Sequence, residues 1–438
     1  MFYNDFMKFL HISDIHLGCD LYHIEGEERM KDYGRAWAEV LRDYGVGEKV
    51  DFVLIGGDLF DKKTPAPRAM IHAINGLTML KDAGIPAIAI EGNHDNVSSG
   101  KEFSWLHTLC EMGLVKLLES NISADENGNL TSNMRYWDEE NRKGEFIDIG
   151  NARIFGTSWH GASIEKITPI IAESINQNRR EGAFHILMLH TEIEGENISP
   201  FPLLTMNTLK MLQPMTDYVA LGHIHKHYIV DNWAFNPGSL EVTSVGEVKD
   251  QRGALLVEFD ENNKISHKLI EKYYRRPFDR IKFDVSGKIP EQVYEGIFAK
   301  IEREINIWDG IEETKKPIIE LTLQGTLGFN TVELELNKIR TDIQNKTHAL
   351  HVLIKNQTVP RDLPIGLGME LETDRRVLEK NVLADLVSRD NRYKFYSDDI
   401  ADVVIEVKNK TLLDENPEEI ALFIEEKIVL KTENIVSV

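Results

Sequence analysis

Five short clusters of aspartate, asparagine and histidine lie within the first 225 residues of this 438-residue sequence. Taken singly, a pattern such as Asp-x-His is a weak sign of a site, because most such pairs are turns, strand ends or solvated side chains. Taken together, the clusters offer oxygen and nitrogen ligands without thiolates, a set that suits Mn²⁺, Fe²⁺ or Zn²⁺ at a hydrolytic centre. The candidate metal ligands are Asp14, His16, Asp58, Asn93, His190, His223 and His225.

These ligands are too many for one ion, and their number predicts a centre with two divalent metal ions. Such ions lie about 3.5–4 Å apart, share a bridging aspartate, hold a hydroxide and clamp the attacking and leaving oxygens of a phosphoester. One histidine of the clusters, His94, is left over for proton transfer, and the adjacent Asp95 could orient it. The sequence therefore predicts metal-dependent phosphoester hydrolysis, with His94 and Asp95 as the catalytic residues.

Buried strands are expected to position the clusters. Near-continuous apolar runs, typical of strands buried on both faces, precede the clusters. Ligand sites in layered α/β proteins gather at the carboxyl ends of strands, so clusters that are distant in sequence can converge. Helical spacing over residues 25–42 and 68–83 predicts helices that cover the sheets. The predicted strands are residues 9–13, 52–55, 86–90, 184–189 and 218–221.

The remainder of the chain predicts two further regions. After residue 276 the pattern becomes strand, helix, strand, helix, strand, which indicates a small α+β module. The acidic tail is amphipathic and predicts helices, with Pro417 at a first helical position. The polar stretch 119–150 predicts an excursion with hairpin-like turns. We therefore predict three domains over residues 1–275, 276–373 and 374–438.

The composition is that of a globular protein, with 42% hydrophobic and 28% charged residues. No apolar run approaches the roughly 20 residues of a membrane span, and the first residues lack the features of a secretory signal. Cys19 and Cys110 are the only cysteines, which favours reduced thiols and a cytoplasmic location. The net charge of −22 argues against tight independent binding to DNA, so such affinity would come from metals, local basic patches or a partner.

The order of the clusters resembles the pattern of the calcineurin-like metallophosphoesterases, which is D-x-H, G-D, G-N-H-D/E, H and G-H-x-H. Within that superfamily, the motif sequences are most similar to those of the Mre/SbcD-type nucleases of DNA double-strand-break repair. The resemblance implies a β-sandwich flanked by helices, a DNA-capping α+β domain and a C-terminal segment that binds a Rad/SbcC-type coiled-coil ATPase. It rests on HISDIHLG, GGDLFDKKTPAP, MLH, GHIH and NPGSLE, all before residue 242.

The resemblance also implies roles for individual residues. One metal would be held by Asp14, His16, Asp58 and His225, and the other by Asp58, Asn93, His190 and His223, with Asp58 as the bridge. It further implies Mn²⁺ as the foremost metal, with Fe²⁺ or Zn²⁺ as alternatives, DNA as the substrate, and a homodimer formed through helices between about residues 66 and 118.

The sequence departs from the family pattern at two positions. Asp61 stands where many members have a histidine, and the run LEVTSVGE lacks the arginine that is often found near Glu241. Asp61, together with His23 and His227 near the motif loops, remains a candidate for contact with the substrate.

Two other functions compete with a DNA nuclease. A phosphomonoesterase or another phosphodiesterase could use the same scaffold. Protein phosphatases of this type carry an arginine in G-D-x-x-D-R-G, but Lys62 and Lys63 follow Asp61 here. A non-catalytic repair scaffold would be expected to have lost metal ligands, and none of the motif residues is missing.

Overall fold

The computed structural model describes residues 6–24, 27–96, 103–124, 130–196, 204–305, 312–360, 375–388, 396–412, 417–424 and 427. The chain forms two compact units, Met1–Arg361 and Asp362–Val438. All of the predicted metal ligands belong to the first unit. In the described part of the chain, no helix is both long enough and apolar enough to cross a membrane.

The described strands run in chain order from β1 to β17. They are β1 (Phe6–Ile12), β2 (Phe52–Ile55), β3 (Ala87–Ala89), β4 (Lys116–Leu117), β5 (Ile122–Ala124), β6 (Leu130–Ser132), β7 (Phe146–Ile149), β8 (Ala152–Gly156), β9 (Phe184–His190), β10 (Tyr218–Gly222), β11 (Tyr228–Val230), β12 (Ala234–Asn236), β13 (Ala254–Asp260), β14 (Ile265–Ile270), β15 (Phe278–Asp284), β16 (Ile318–Leu327) and β17 (His351–Pro360).

The described α-helices are numbered in the same way. They are α1 (Glu28–Val40), α2 (Pro67–Asp82), α3 (Trp105–Glu111), α4 (Ile164–Gln177), α5 (Met206–Lys210), α6 (Pro290–Glu304), α7 (Leu336–Thr347), α8 (Arg375–Ser388), α9 (Ser397–Leu412) and α10 (Pro417–Ile424). The two predicted covering helices are confirmed as α1 and α2, and α1 continues into a π-helical turn over Leu41–Val46.

Two six-stranded sheets form a β-sandwich. The first has the order β14-β13-β1-β2-β3-β4 and the second has the order β11-β12-β10-β9-β8-β7. Their inner faces meet through aromatic side chains: Phe184 stacks on Phe259 with ring centroids 3.9 Å apart, and Phe9 meets Tyr218 edge-on at 5.2 Å. Each fully buried side chain of this size stabilises the fold by roughly 1.5–3 kcal/mol. The prediction of a β-sandwich flanked by helices is confirmed.

Helices cover the outer face of each sheet. Trp37 of α1 and Leu77 of α2 are buried in the core of the first sheet, and Ile171 of α4 is buried against the second. The indole of Trp37 donates to the His72 carbonyl of α2 at 3.1 Å. A Cβ at Gly76 would lie 2.1 Å from the indole nitrogen, so this helical glycine allows α1 and α2 to approach closely.

The polar stretch between β4 and β7 contains an antiparallel pair, in which Ile122 of β5 lies opposite Ser132 of β6. This pair confirms the predicted excursion with hairpin-like turns. Residues 125–129 of the stretch lie outside the described residues.

Strands β15, β16 and β17 form a parallel three-stranded sheet in that order, and α6 and α7 are the crossovers between them. Ile281, Leu321 and Ile343 are among the residues of its own hydrophobic core. The elements match the predicted α+β module. The boundary near residue 276 stays a prediction, because the module lies in the same compact unit as the sandwich.

The second unit contains α8, α9 and α10, as the tail pattern predicts. Helices α8 and α9 pack together, and Lys380 forms an ion pair with Asp402 at 2.6 Å. The predicted boundary at residue 374 falls outside the described residues.

Candidate metal centre

The carboxyl ends of five strands meet at one edge of the sandwich. Strands β1, β2 and β3 are neighbours in the first sheet, and β9 and β10 are neighbours in the second. The loops after β1 and β2 are joined by a hydrogen bond from the Asp14 amide to the Gly57 carbonyl at 3.1 Å. The two sheets are joined by a hydrogen bond from Nδ1 of His190 to the Gly56 carbonyl at 2.8 Å. All the predicted ligands therefore reach one region.

Asp14, His16 and His225 form what we call the first ligand group, in which one ligand atom of each residue lies within 4.8 Å of the others. Nε2 of His16 lies 3.0 Å from Nε2 of His225, which in turn lies 3.8 Å from Oδ1 of Asp14. The Ser13 hydroxyl donates to Oδ2 of Asp14 at 2.6 Å and fixes the carboxylate.

Asp58, His190 and His223 form the second ligand group, defined by the same distance. Oδ2 of Asp58 lies 3.3 Å from Nε2 of His190. The amide oxygen of Asn93 lies 3.1 Å from that nitrogen and 2.9 Å from Nδ1 of His223. Asn93 therefore belongs with the second group, as the sequence resemblance implies.

Asp58 also lies next to the first group. The oxygen that faces His190, Oδ2, is 3.9 Å from Nε2 of His16. The other oxygen, Oδ1, accepts a hydrogen bond from the His94 amide at 2.8 Å, which holds the carboxylate in this orientation. One carboxylate oxygen thus stands between the two ligand groups, the position that a bridging ligand requires.

The backbone at these ligands is strained. Asp14, His16, Asp58 and His223 have φ angles of 51°, 50°, 51° and 96°. Residues other than glycine rarely adopt this left-handed region, and each such residue costs about 1–3 kcal/mol. Strain repeated at four candidate ligands indicates that the surrounding structure holds the site in shape for a function.

In the second ligand group, the charges of Asp58 and the neighbouring histidines shift one another's pKa values. Burial lowers the pKa of His190, but the neighbouring Asp58 carboxylate outweighs burial and raises that pKa to about 9. Burial, followed by the charge on His190, lowers the pKa of His223 to about 4. Burial tends to raise the pKa of Asp58, but His190 and His16 outweigh it and hold that pKa below its usual range. A buried carboxylate here therefore requires positive charge beside it.

The residues present fit divalent metal ions. Asp14 and Asp58 are almost fully buried, and uncompensated buried carboxylates are costly. Nδ1 of His16 is buried without a hydrogen-bond partner. The two facing Nε2 atoms of His16 and His225 would repel each other unless a proton or a cation lay between them. Divalent cations would compensate the two carboxylates and separate the two Nε2 atoms, while Nδ1 of His16 faces Asp61 at 3.6 Å.

His94 lies at the edge of the first group, with its ring centroid 4.8 Å from that of His16. Its Nδ1 donates to the Asp61 carbonyl at 2.6 Å. The sequence predicted that Asp95 would orient His94, and the structure differs. The Asp95 carboxylate instead accepts hydrogen bonds from the amides of Leu59, Phe60 and Gly92, at 3.2, 3.0 and 3.2 Å.

Asp95 therefore ties the loop after β2 to the loop after β3. Burial and the charge of Asp58 raise the pKa of Asp95 to about 7. The backbone carbonyl of Asp61, rather than Asp95, orients His94. The expectation failed because residues that are adjacent in a turn direct their side chains to different sides of the chain.

The three candidate substrate contacts are placed differently. Oδ1 of Asp61 lies 3.6 Å from Nδ1 of His16, so Asp61 is next to the ligands. Nδ1 of His227 donates to the Asn236 carbonyl at 2.7 Å, and the described ligand groups do not include His227. His23 ends a short 3₁₀ turn, and its side chain lies outside the described residues.

Sequence reasoning missed two residues behind His225. Oε1 of Glu247 lies 3.2 Å from Nδ1 of His225, and the Thr243 hydroxyl lies 2.7 Å from the same nitrogen. A carboxylate often stands behind a metal-binding histidine. The sequence could suggest such an acid, but it could not choose between Asp231, Glu241 and Glu247.

The calcineurin-like phosphoesterase family matches residues 7–227, just over half of the 438-residue chain. The chain belongs to the calcineurin-like phosphoesterase family. Together with the ligand groups, this membership makes it a metal-dependent phosphoesterase.

Several curated relatives of this chain are DNA double-strand break repair proteins. The DNA double-strand break repair protein Mre11 of Sulfolobus acidocaldarius is 26% identical over 414 residues, which cover 92% of this chain and 95% of that protein. The Mre11 protein of Aeropyrum pernix is 27% identical over 72% of this chain and 73% of its own length. That of Archaeoglobus fulgidus is 32% identical over 245 residues, and this chain spans 50% of its length.

Proposed function

We propose that this chain is a Mn²⁺-dependent DNA nuclease that hydrolyses phosphodiester bonds with two metal ions and acts in DNA double-strand-break repair. One observation supports the use of two metal ions: a single oxygen of Asp58 lies between the two ligand groups, 3.3 Å from Nε2 of His190 and 3.9 Å from Nε2 of His16. Similarity to a repair protein over 92% of the chain supports the DNA substrate, and two free cysteines support a cytoplasmic location.

The proposed metal ligands follow the two groups. The first ion would be held by Asp14, His16, Asp58 and His225, and the second by Asp58, Asn93, His190 and His223. Mixed carboxylate, amide and imidazole donors suit Mn²⁺, Fe²⁺ or Zn²⁺, and the resemblance to the Mre/SbcD-type nucleases supports Mn²⁺ among them. When bound, the ions supply a hydroxide at neutral pH and stabilise charge on the phosphoryl oxygens.

The residues of the chain contribute positioning and proton transfer. Because Nδ1 of His94 donates its hydrogen to the Asp61 carbonyl, Nε2 is the nitrogen that can carry a second proton. A protonated His94 would donate from Nε2 to the leaving oxygen, and Asp95 would hold the loop on which His94 lies. Asp61 would contact the substrate or its water beside His16. His23 and His227 remain weaker candidates for substrate contact.

The α+β module contacts the segment that carries two of the proposed ligands, which supports its role as a DNA-capping domain over residues 276–373. The Tyr22 ring stacks on the His351 ring of β17, with centroids 5.1 Å apart and planes inclined by 11°. Tyr22 lies in the segment that follows β1 and carries Asp14 and His16. A module in this position would border a nucleic-acid strand that approaches the metal ions.

Two protein partners belong to the proposal. Exposed apolar side chains at Ile71, Phe103 and Trp105 support a homodimer formed through the segment around α2 and α3.

Exposed Leu386 and Leu422 in the second unit support residues 374–438 as the binding site of a coiled-coil ATPase. Deletion of residues 374–438 should abolish ATPase binding and spare Mn²⁺-dependent cleavage. Retained binding would contradict this assignment.

The decisive experiment compares substrates with and without Mn²⁺. End-labelled single-stranded DNA, hairpin DNA, bis-p-nitrophenyl phosphate and p-nitrophenyl phosphate are incubated with the wild type, His94→Ala and Asp58→Ala. We expect Mn²⁺-dependent DNA cleavage by the wild type and its loss in both variants. Efficient hydrolysis of p-nitrophenyl phosphate without DNA cleavage would favour a phosphomonoesterase. Inactivity on every substrate, despite Mn²⁺ binding, would favour a non-catalytic scaffold.

A further inference from the structure

The two ring nitrogens of His225 face different surroundings. Nε2 points to the first ligand group, 3.0 Å from Nε2 of His16 and 3.8 Å from Oδ1 of Asp14. Nδ1 points away from that group, to Oε1 of Glu247 at 3.2 Å and the Thr243 hydroxyl at 2.7 Å. The imidazole therefore connects the ligand group to a carboxylate that is 22 positions further along the chain.

Hydrogen-bond chemistry fixes the tautomer of His225. The Thr243 hydroxyl donates to Oε1 of Glu247 at 2.9 Å, so toward His225 its oxygen can only accept. An ionised carboxylate accepts only. Both neighbours of Nδ1 therefore require a hydrogen on that nitrogen, which leaves the lone pair of Nε2 free for a metal ion.

Glu247 is itself held in place by several donors. Oε2 accepts from the Thr243 amide at 3.1 Å, and Oε1 accepts from the Ser244 hydroxyl at 3.0 Å. Nη1 of Arg252 donates to Oε2 at 3.1 Å and also contacts the Ser239 hydroxyl at 3.3 Å. Arg252 is almost fully buried, and the Glu247 side chain is 20% exposed, so the ion pair is shielded from solvent on the arginine side. A carboxylate fixed in this way is preorganised to orient His225.

Two other histidines at the centre are oriented by backbone carbonyls, and Nδ1 of His16 lies 3.6 Å from the Asp61 carboxylate. Nδ1 of His190 donates to the Gly56 carbonyl, and Nδ1 of His94 donates to the Asp61 carbonyl. A carbonyl presents a dipole, whereas Glu247 presents a full negative charge, which increases the electron density at the ligand nitrogen of His225. Glu247 thus acts on one ligand group and not on the other.

We propose that Glu247 is a positioning residue that holds His225 in its ligand orientation and strengthens metal binding by the first ligand group. This role rests on the proposed function, because it assumes that the first group binds a metal ion. Orienting partners of this kind change metal affinity by about 10-fold to 100-fold.

The test measures Mn²⁺ binding by isothermal titration calorimetry on the full chain, without substrate. In Glu247→Gln we expect one of two Mn²⁺ sites to weaken by about 10-fold, and in Glu247→Ala by up to about 100-fold, while the other site is unchanged. Glu261→Gln, which removes the same charge from an exposed turn, is the matched control and should bind as the wild type does. Two unchanged sites in Glu247→Gln would overturn the proposal.

A second measurement needs no metal. Long-range ¹H–¹⁵N correlation spectra of the metal-free wild type, with His225→Asn used to assign the signal, report which ring nitrogen carries the hydrogen. At a pH high enough to make the His225 ring neutral, we expect hydrogen on Nδ1 and an unprotonated Nε2 in the wild type, and a mixture of tautomers in Glu247→Ala. Hydrogen on Nε2 alone in the wild type would overturn the role of Glu247. A wild type that binds no Mn²⁺ but has the expected tautomer would instead refute the proposed function.

Discussion

In the second ligand group His190 is held by a backbone carbonyl, whereas in the first group His225 is held by the side chains of Thr243 and Glu247. Each carboxylate accepts from a backbone amide, Asp58 from that of His94 and Asp14 from that of His223. Asp14 accepts from a side chain as well, the hydroxyl of Ser13. Backbone groups therefore hold the second ligand group in place, whereas the first ligand group depends more on individual side chains.

This difference determines how each group can be damaged. Backbone partners cannot be removed by substitution, so the second group is vulnerable chiefly where an added side chain would displace the chain. Side-chain partners can be removed singly, so the first group should weaken in steps. Substitutions can test this contrast, beginning with the residue that both groups share.

Asp58→Asn should have the largest effect, because Asp58 stands between the groups. We expect loss of both tight Mn²⁺ sites in calorimetry and loss of detectable DNA cleavage, a decrease of more than about 10³-fold. Removal of one transition-state stabilising group alone costs about 10²–10³-fold. A variant that kept one tight site would show that Asp58 serves a single ion.

His94→Gln should separate proton transfer from metal binding. We expect cleavage of phosphodiesters to slow by about 10²–10⁴-fold, the usual contribution of a general acid, with both Mn²⁺ affinities unchanged. His94 lies within ligand distance of His16 and Asp61. A loss of Mn²⁺ affinity would therefore identify His94 as a ligand of the first group and contradict its role as the acid.

Gly57→Ala should damage the second group selectively. Gly57 has a φ of 100°, and a Cβ there would lie 2.4 Å from Nδ1 of His190. Gly84→Ala is the control, because Gly84 also has a positive φ, 73°, but a Cβ there meets nothing within 4 Å. Both variants should lose about 1–2 kcal/mol of stability to backbone strain. Only Gly57→Ala should weaken one Mn²⁺ site. Equal Mn²⁺ affinities in the two variants would argue against the view that backbone groups hold the second ligand group in place.

Thr243→Val should have the smallest effect and should act on the first group alone. The substitution removes the hydrogen bonds of the hydroxyl to Nδ1 of His225 and to Oε1 of Glu247. The other donors to Glu247 remain and hold its carboxylate in place. Since one such bond contributes about 1 kcal/mol, we expect a decrease of about 5-fold in Mn²⁺ affinity at one site by calorimetry. Thr331→Val, at an exposed position of the α+β module, is the control. A larger loss than in Glu247→Gln would mean that the hydroxyl, rather than the carboxylate, orients His225.

Much of the fold could be predicted from the sequence, because the buried strands are continuous apolar runs. The predicted strand 52–55 coincides with β2, and the predicted strand 184–189 differs from β9 by one residue. The start of α1 was less accurate: the pattern predicted residue 25, the helix begins at Glu28, and residues 25 and 26 lie outside the described residues. Helix starts depend on capping, which is local and weak in the sequence at this point.

The ligand residues of the site could be predicted from the sequence, whereas their hydrogen-bond partners could not. Every predicted ligand reaches one of the two groups or, like Asn93, contacts one. The partner of His94 could not be predicted, because adjacency in sequence suggested Asp95 and the folded loops supplied the Asp61 carbonyl. Glu247 could not be found either, since 22 positions separate it from His225 and only folding brings the two together.

The sequence by itself determined the kinds of ligand, their places at the ends of buried strands and the family to which the chain belongs. These properties are local, since they depend on residue type and on short-range apolar pattern. The tertiary structure decided which nitrogen of each histidine faces its ligand group, which acid lies beside His225 and that one oxygen of Asp58 lies between the groups. Those properties are distances between residues far apart in the chain, and only the packing of the two sheets fixes them.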